Sequence, residues 1–112
     1  MAIVERHKSS SELPDLIVDV TENDWSIGFD GGTWHTHGDI LDWSGYAGTR
    51  EERVRAFVDD VIASRRVIVL SRVNGEVRDA WITDDPSYDE MKYAEPNETI
   101  EKRLWNGQAA TG

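Results

Sequence analysis

The feature that most constrains this chain is a single amphipathic helix embedded in a sequence otherwise patterned for strands. Val54, Phe57, Val58, Val61 and Ile62 recur at the spacing that lines one face of a helix, and the run ends near Ser64. Thr49-Arg50-Glu51-Glu52 opens it in capping-box form, where a hydroxyl and a carboxylate reciprocally satisfy amides that a first turn leaves without partners. An isolated helix of this length is marginal in water, so its apolar stripe must be covered by something else. The flanking segments supply that cover. Arg66-Val67-Ile68-Val69-Leu70 is apolar at successive positions, as in a central strand buried on both faces. Asn74-Gly75 then separates it from Glu76 to Thr83, and a two-residue Asn-Gly loop is the strongest short hairpin signal. Counting outward from that loop pairs Val73 with Glu76, Val69 with Ala80, Ile68 with Trp81 and Val67 with Ile82.

A second hairpin is expected upstream of the helix. Leu16 to Val20 is short, β-branched and bounded by Pro14 and a polar turn. Trp25-Ser26-Ile27-Gly28-Phe29 alternates large apolar with small residues, so Trp25, Ile27 and Phe29 point inward. Asp30-Gly31-Gly32 tolerates a tight turn, and Thr33 to His37 returns as the second arm. The segment from Gly38 to Gly48 is irregular but carries bulky Ile40, Leu41, Trp43 and Tyr46, so it packs over the core. Near the end, Glu98 to Trp105 reads either as a short helix capped by Asn97 or as a strand, and the strand is preferred because Asn106-Gly107 forms a turn after it. The expected fold is therefore α+β: one antiparallel sheet of five or six strands, built from two hairpins, with the main helix on one face. One domain over residues 13–107 is expected, after a polar, mobile lead-in over 1–12 and before a disordered tail over 108–112.

Composition narrows the functional classes. The 112 residues include 22 Asp and Glu against 12 Lys and Arg, a net charge of −10 that repels nucleic acid and anionic membrane and favours a basic protein partner. No cysteine is present, which excludes disulfides, thiolate metal sites and a cysteine nucleophile. No apolar run suits a membrane span or a secretory leader, so a cytoplasmic protein is expected. Motifs for phosphate cradling, dinucleotide binding, serine hydrolysis and zincin chemistry are all missing, and the balance leans away from an enzyme. The charge is also unevenly placed. Between Lys8 and Arg50 there is no Lys or Arg, whereas Glu12, Asp15, Asp19, Glu22, Asp24, Asp30, Asp39 and Asp42 all fall there.

Three readings of function follow. The first is a small acidic binding protein without enzymatic activity or cofactor. Its candidate surface is Asp30, Trp34, His35, His37, Asp39, Asp42, Trp43 and Tyr46, in which aromatic anchors supply contact area and carboxylates supply steering. Asp84, Asp85, Asp89 and Glu90 form a second acidic stretch of the same kind. Small size, strong acidity and lack of cysteine together resemble bacterial immunity proteins in layout and charge; that resemblance implies an inhibitor that covers the active site of a cationic toxin domain. The second reading is a metal-binding module or small metal-dependent enzyme. Positions i and i+2 of a strand share a face, so His35 and His37 present two imidazoles together, and Asp39 adds a carboxylate for a divalent transition metal if the strand continues. Gly28, His35, His37 and Asp42 are similar in order to the first metal motif of cupins, but the glycine spacing, the Asp in place of Glu and the helix that follows all depart from that family. The third reading is an accessory subunit whose acidic face docks on a larger assembly.

Overall fold

In the computed structural model, residues 2–9, 13–22, 24–32, 34–41, 45–83 and 95–109 are described. Their order is β1 (Ala2–His7), β2 (Leu16–Thr21), β3 (Asp24–Phe29), β4 (His35–His37), α1 (Gly38–Leu41), α2 (Arg50–Ile62), β5 (Ile68–Val73), β6 (Glu76–Ile82) and β7 (Glu98–Arg103). The fold is α+β and wholly antiparallel, as expected. The strands, however, make two sheets instead of one: β1-β2-β3-β4 and β6-β5-β7. The reason lies in the edges. β5 is hydrogen-bonded on one side to its hairpin partner β6 and on the other to β7, so it has no free edge to offer the first sheet. β4 is only three residues long and runs directly into α1, so it cannot carry the first sheet further.

The two sheets are joined by side chains. Leu16, Val18, Ile27 and Phe29 from the first, Ile68, Leu70, Ala80 and Ile82 from the second, and Val54, Phe57, Val58 and Val61 from α2 form one buried cluster. The helical stripe of α2 and the inward Ile27 and Phe29 of β3 follow the predicted periodicity. Alternation puts residues 16, 18, 27 and 29 on the inner face, and the helical stripe puts residues 54, 57, 58 and 61 against them. Ile62, also on the expected stripe, is 37% exposed at its end. The helix starts as predicted: Thr49 Oγ1 accepts from the Glu52 amide at 3.1 Å while Glu52 Oε1 accepts from the Thr49 amide at 3.0 Å.

Two details depart from the sequence reading. Residues 2–7, expected to belong to a lead-in without regular structure, form β1 and pair with β2 from His7↔Leu16 to Ala2↔Val20. Ion pairs from its polar second half help to hold this strand in place: Glu5 Oε1 meets Arg55 of α2 at 2.9 Å, and Arg6 meets Asp15. In the second hairpin, Asn74 (φ 54°) and Gly75 (φ 85°) form the expected tight turn and Val73 faces Glu76. A bulge between Ser71 and Arg72 then shifts the remaining pairs by one, to Leu70↔Ala80, Val69↔Trp81 and Ile68↔Ile82. An unbroken ladder would set Leu70 opposite Asp79; the extra residue on β6 returns Ala80 and Ile82 to the buried face. The strand alternative for the last segment holds, with β7 paired along β5 from Glu98↔Val73 to Arg103↔Ile68. No described helix is long and apolar enough to cross a membrane.

Candidate functional site

The outer face of the four-stranded sheet is the candidate site. Because Leu16, Val18, Ile27 and Phe29 point into the core, the alternate residues of the same strands must point away from it. The register lays these out in rows. Ile17 on β2 faces Gly28 on β3, which faces His35 on β4; Asp19 faces Ser26, which faces His37; Thr21 faces Asp24. Together with Asp30 and Trp34 they line an open concavity of about 540 Å³.

Gly28 forms the floor. A side chain there would bring its Cβ to 2.9 Å from the Trp34 carbonyl oxygen and 3.4 Å from the His35 Cβ, so only glycine lets β4 lie this close and leaves bare backbone between Ile17 and His35. Around the floor the polar groups hold one another. The Ser26 hydroxyl donates to Asp19 Oδ1 at 2.6 Å. His37 Nδ1 lies 3.1 Å from Asp24 Oδ1, and the His35 and His37 rings meet edge to face with centroids 4.9 Å apart. At the far end, Arg6 Nη1 bridges Asp15 at 2.9 Å and Asp30 at 3.0 Å. Those two hydrogen bonds, Asp15 first, push the Arg6 guanidinium further up from its ordinary value, and one cation between two carboxylates leaves this end of the face with a single net negative charge.

The sequence candidates are distributed as follows. His35 and His37 stand on the outer face, as strand alternation requires, with Thr36 buried between them. Asp30 is exposed and engaged by Arg6. Trp34 is half-buried, packed against the core and tilted by 37° against Phe29 at 6.2 Å, while still lining the concavity. Tyr46 is turned the other way: its hydroxyl donates to Asp60 Oδ2 at 2.6 Å and its ring meets Phe57 edge to face at 5.6 Å, which ties the segment after α1 to α2. Burial, and then the bond to Asp60, push the Tyr46 phenol up to about 12, and the same bond leads the causes that hold Asp60 below the usual carboxylate range. Asp39 sits on α1, because β4 ends at His37; the continued strand that would carry its carboxylate beside the imidazoles is not formed. Asp42, Trp43, Asp84, Asp85, Asp89 and Glu90 lie outside the described residues.

The structure adds Ile17, Asp19, Asp24, Ser26, Gly28 and Arg6 to this surface. The signal for the β3 members Asp24, Ser26 and Gly28 is in the sequence: they are the small or polar positions of the alternation that places Trp25, Ile27 and Phe29 inward. Arg6 has no such signal, since only the pairing of β1 brings it here.

Chemically, Asp24 and His37 form a carboxylate–imidazole pair able to hold or pass a proton. The neighbouring hydroxyl, Ser26, donates to Asp19, so the pair does not extend to an activated nucleophile. Among the described residues no three His, Asp or Glu side chains converge in a way that holds a metal ion. Compared with protein-family models, with curated proteins and with solved structures, the chain matches none of them.

Proposed function

We propose that this chain is a small acidic binding protein, of immunity or inhibitor type, that covers a basic protein with the outer face of its four-stranded sheet. One observation carries the reading: the stretch of sequence without Lys or Arg folds so that its carboxylates at 19, 24 and 30 share one open, concave sheet face with Ile17, Trp34 and two imidazoles. Carboxylates around partly apolar ground suit a cationic partner. The apolar and aromatic groups give contact area, and the acids give attraction at a distance and discrimination between partners. Arg6 shows the chemistry within the chain itself, as a guanidinium seated on Asp15 and Asp30 at one end of the face.

The test is capture from the source cell's lysate on immobilised protein at about 0.05 M and about 0.5 M salt, beside the doubly reversed variant Asp19→Lys, Asp24→Lys. The account expects one basic protein, retained at low salt, depleted at high salt and lost from the variant. Equal capture by the variant removes this face from the reading.

A further inference from the structure

We infer that binding of the basic partner at this face is linked to protons through His37 and His35; this rests on the function proposed above and adds a regulation to it. His37 Nδ1 is 3.1 Å from Asp24 Oδ1. A proton on that imidazole converts Asp24 from a carboxylate available to a partner into one half of an internal ion pair. The His35 ring meets the His37 ring at 4.9 Å and is exposed, so its own protonation puts a second positive charge on the same ground.

Among the described residues around this pair there is no further histidine. Asp24 and Ser26 face His37 from β3, His35 from β4, and Asp19 from β2 lies behind Ser26. From α2, Arg53 Nη1 donates to the Gly38 carbonyl at 3.3 Å, and Arg50 packs against Gly38 beside His37. α1 carries Asp39 in its sequence. Carboxylates and guanidinia in general keep their charge between about pH 5.5 and 7.5, whereas histidine is the side chain that changes charge there. With neutral imidazoles, Asp15, Asp19, Asp24 and Asp30 against Arg6 leave three uncompensated negative charges; with both imidazoles protonated, one remains. A cationic group docking at Asp24 therefore competes with the proton on His37, and acidification releases the partner.

The experiment measures the Kd of a fluorescent decalysine peptide by anisotropy at pH 7.5 and 5.5 and constant low ionic strength, for the whole chain and for His35→Gln, His37→Gln. The peptide keeps its charge throughout, and His7, present in both proteins, reports titration elsewhere. The expected result is a Kd about tenfold weaker at pH 5.5 for the unmodified chain, the effect of about one proton taken up on release, and a change of under about twofold for the variant. Tight binding with no pH dependence overturns the linkage and leaves the binding function standing. An equal pH effect in the variant assigns the titration to another site and overturns the linkage too. No binding at pH 7.5 overturns the binding function, and the linkage with it.

Discussion

Replacing Tyr46 by Phe isolates one hydrogen bond, because the ring contact with Phe57 survives and only the hydroxyl at 2.6 Å from Asp60 Oδ2 is removed. Hydrogen bonds to charged groups are worth about 1.5–3 kcal/mol. The low end applies here. Asp60 keeps Arg65 Nε at 2.7 Å, and its side chain is 29% exposed, so water can replace the phenol. The expected loss is about 1.5 kcal/mol near neutral pH, or roughly 6 °C in Tm for a chain of this length. Its pH dependence has a definite sign. Asp60 is held below the usual carboxylate range in the folded state, so its stabilising contribution is complete above about pH 4 and disappears as pH falls through the folded value. Tyr46 is pushed up to about 12, so its contribution is complete below about pH 10 and disappears as pH rises toward that value. Urea unfolding of both proteins at pH 7, 3 and 11 should show a gap that is widest at pH 7 and narrower at both extremes. A loss under about 0.5 kcal/mol, or a gap unchanged between pH 7 and pH 3, would refute the claim that this hydroxyl works through the ionised Asp60.

Other substitutions probe the remaining parts of the structure. Thr49→Ala removes one half of the capping box and should cost about 1 kcal/mol, read as a lower urea midpoint with unchanged slope. Leu70→Ala empties a fully buried position on the central strand and should cost about 3 kcal/mol, whereas Ile62→Ala, at a position 37% exposed, should cost under about 1 kcal/mol by the same assay. Deleting Arg78 removes the residue that the β5–β6 ladder skips and leaves every remaining cross-strand pair in place. It should therefore lower the urea midpoint less than Leu70→Ala does; a larger drop would show that the bulge itself is needed.

How much of this was legible depended on the range of the interaction responsible. Periodicity and capping are local, and they identified α2, its first turn, the inward residues of β3 and the outward pair His35 and His37. The hairpin at Asn74-Gly75 was equally local at its tip but not four residues further, because the bulge answers to burial of Ala80 and Ile82 in a core made largely by other elements. Contacts set by tertiary structure left no pattern. Nothing in a polar segment such as Glu5-Arg6-His7 indicates a strand, and its anchors, Arg55 and Asp30, are far along the chain. Tyr46 carried two expectations, packing over the core and contact with a partner, because its own partner Asp60 lies in α2 beyond the capped turn. The division into two sheets came from β7 taking the second edge of β5, a pairing that no turn signals. Half of the candidate site was visible as alternation, but the rows Asp19–Ser26–His37 and Ile17–Gly28–His35 exist only once the register of three strands is known.

The central claim is that the outer face of the first sheet is where a cationic partner sits, and the most direct measurement is a backbone amide chemical-shift titration of isotopically labelled protein with the captured basic protein, or with decalysine until that is in hand. The account predicts that the largest perturbations fall on Ile17, Asp19, Asp24, Ser26, Gly28, His35 and His37, and that added salt reverses them. Perturbations concentrated instead on α2 or on β5 to β7, with this face unmoved, would contradict it.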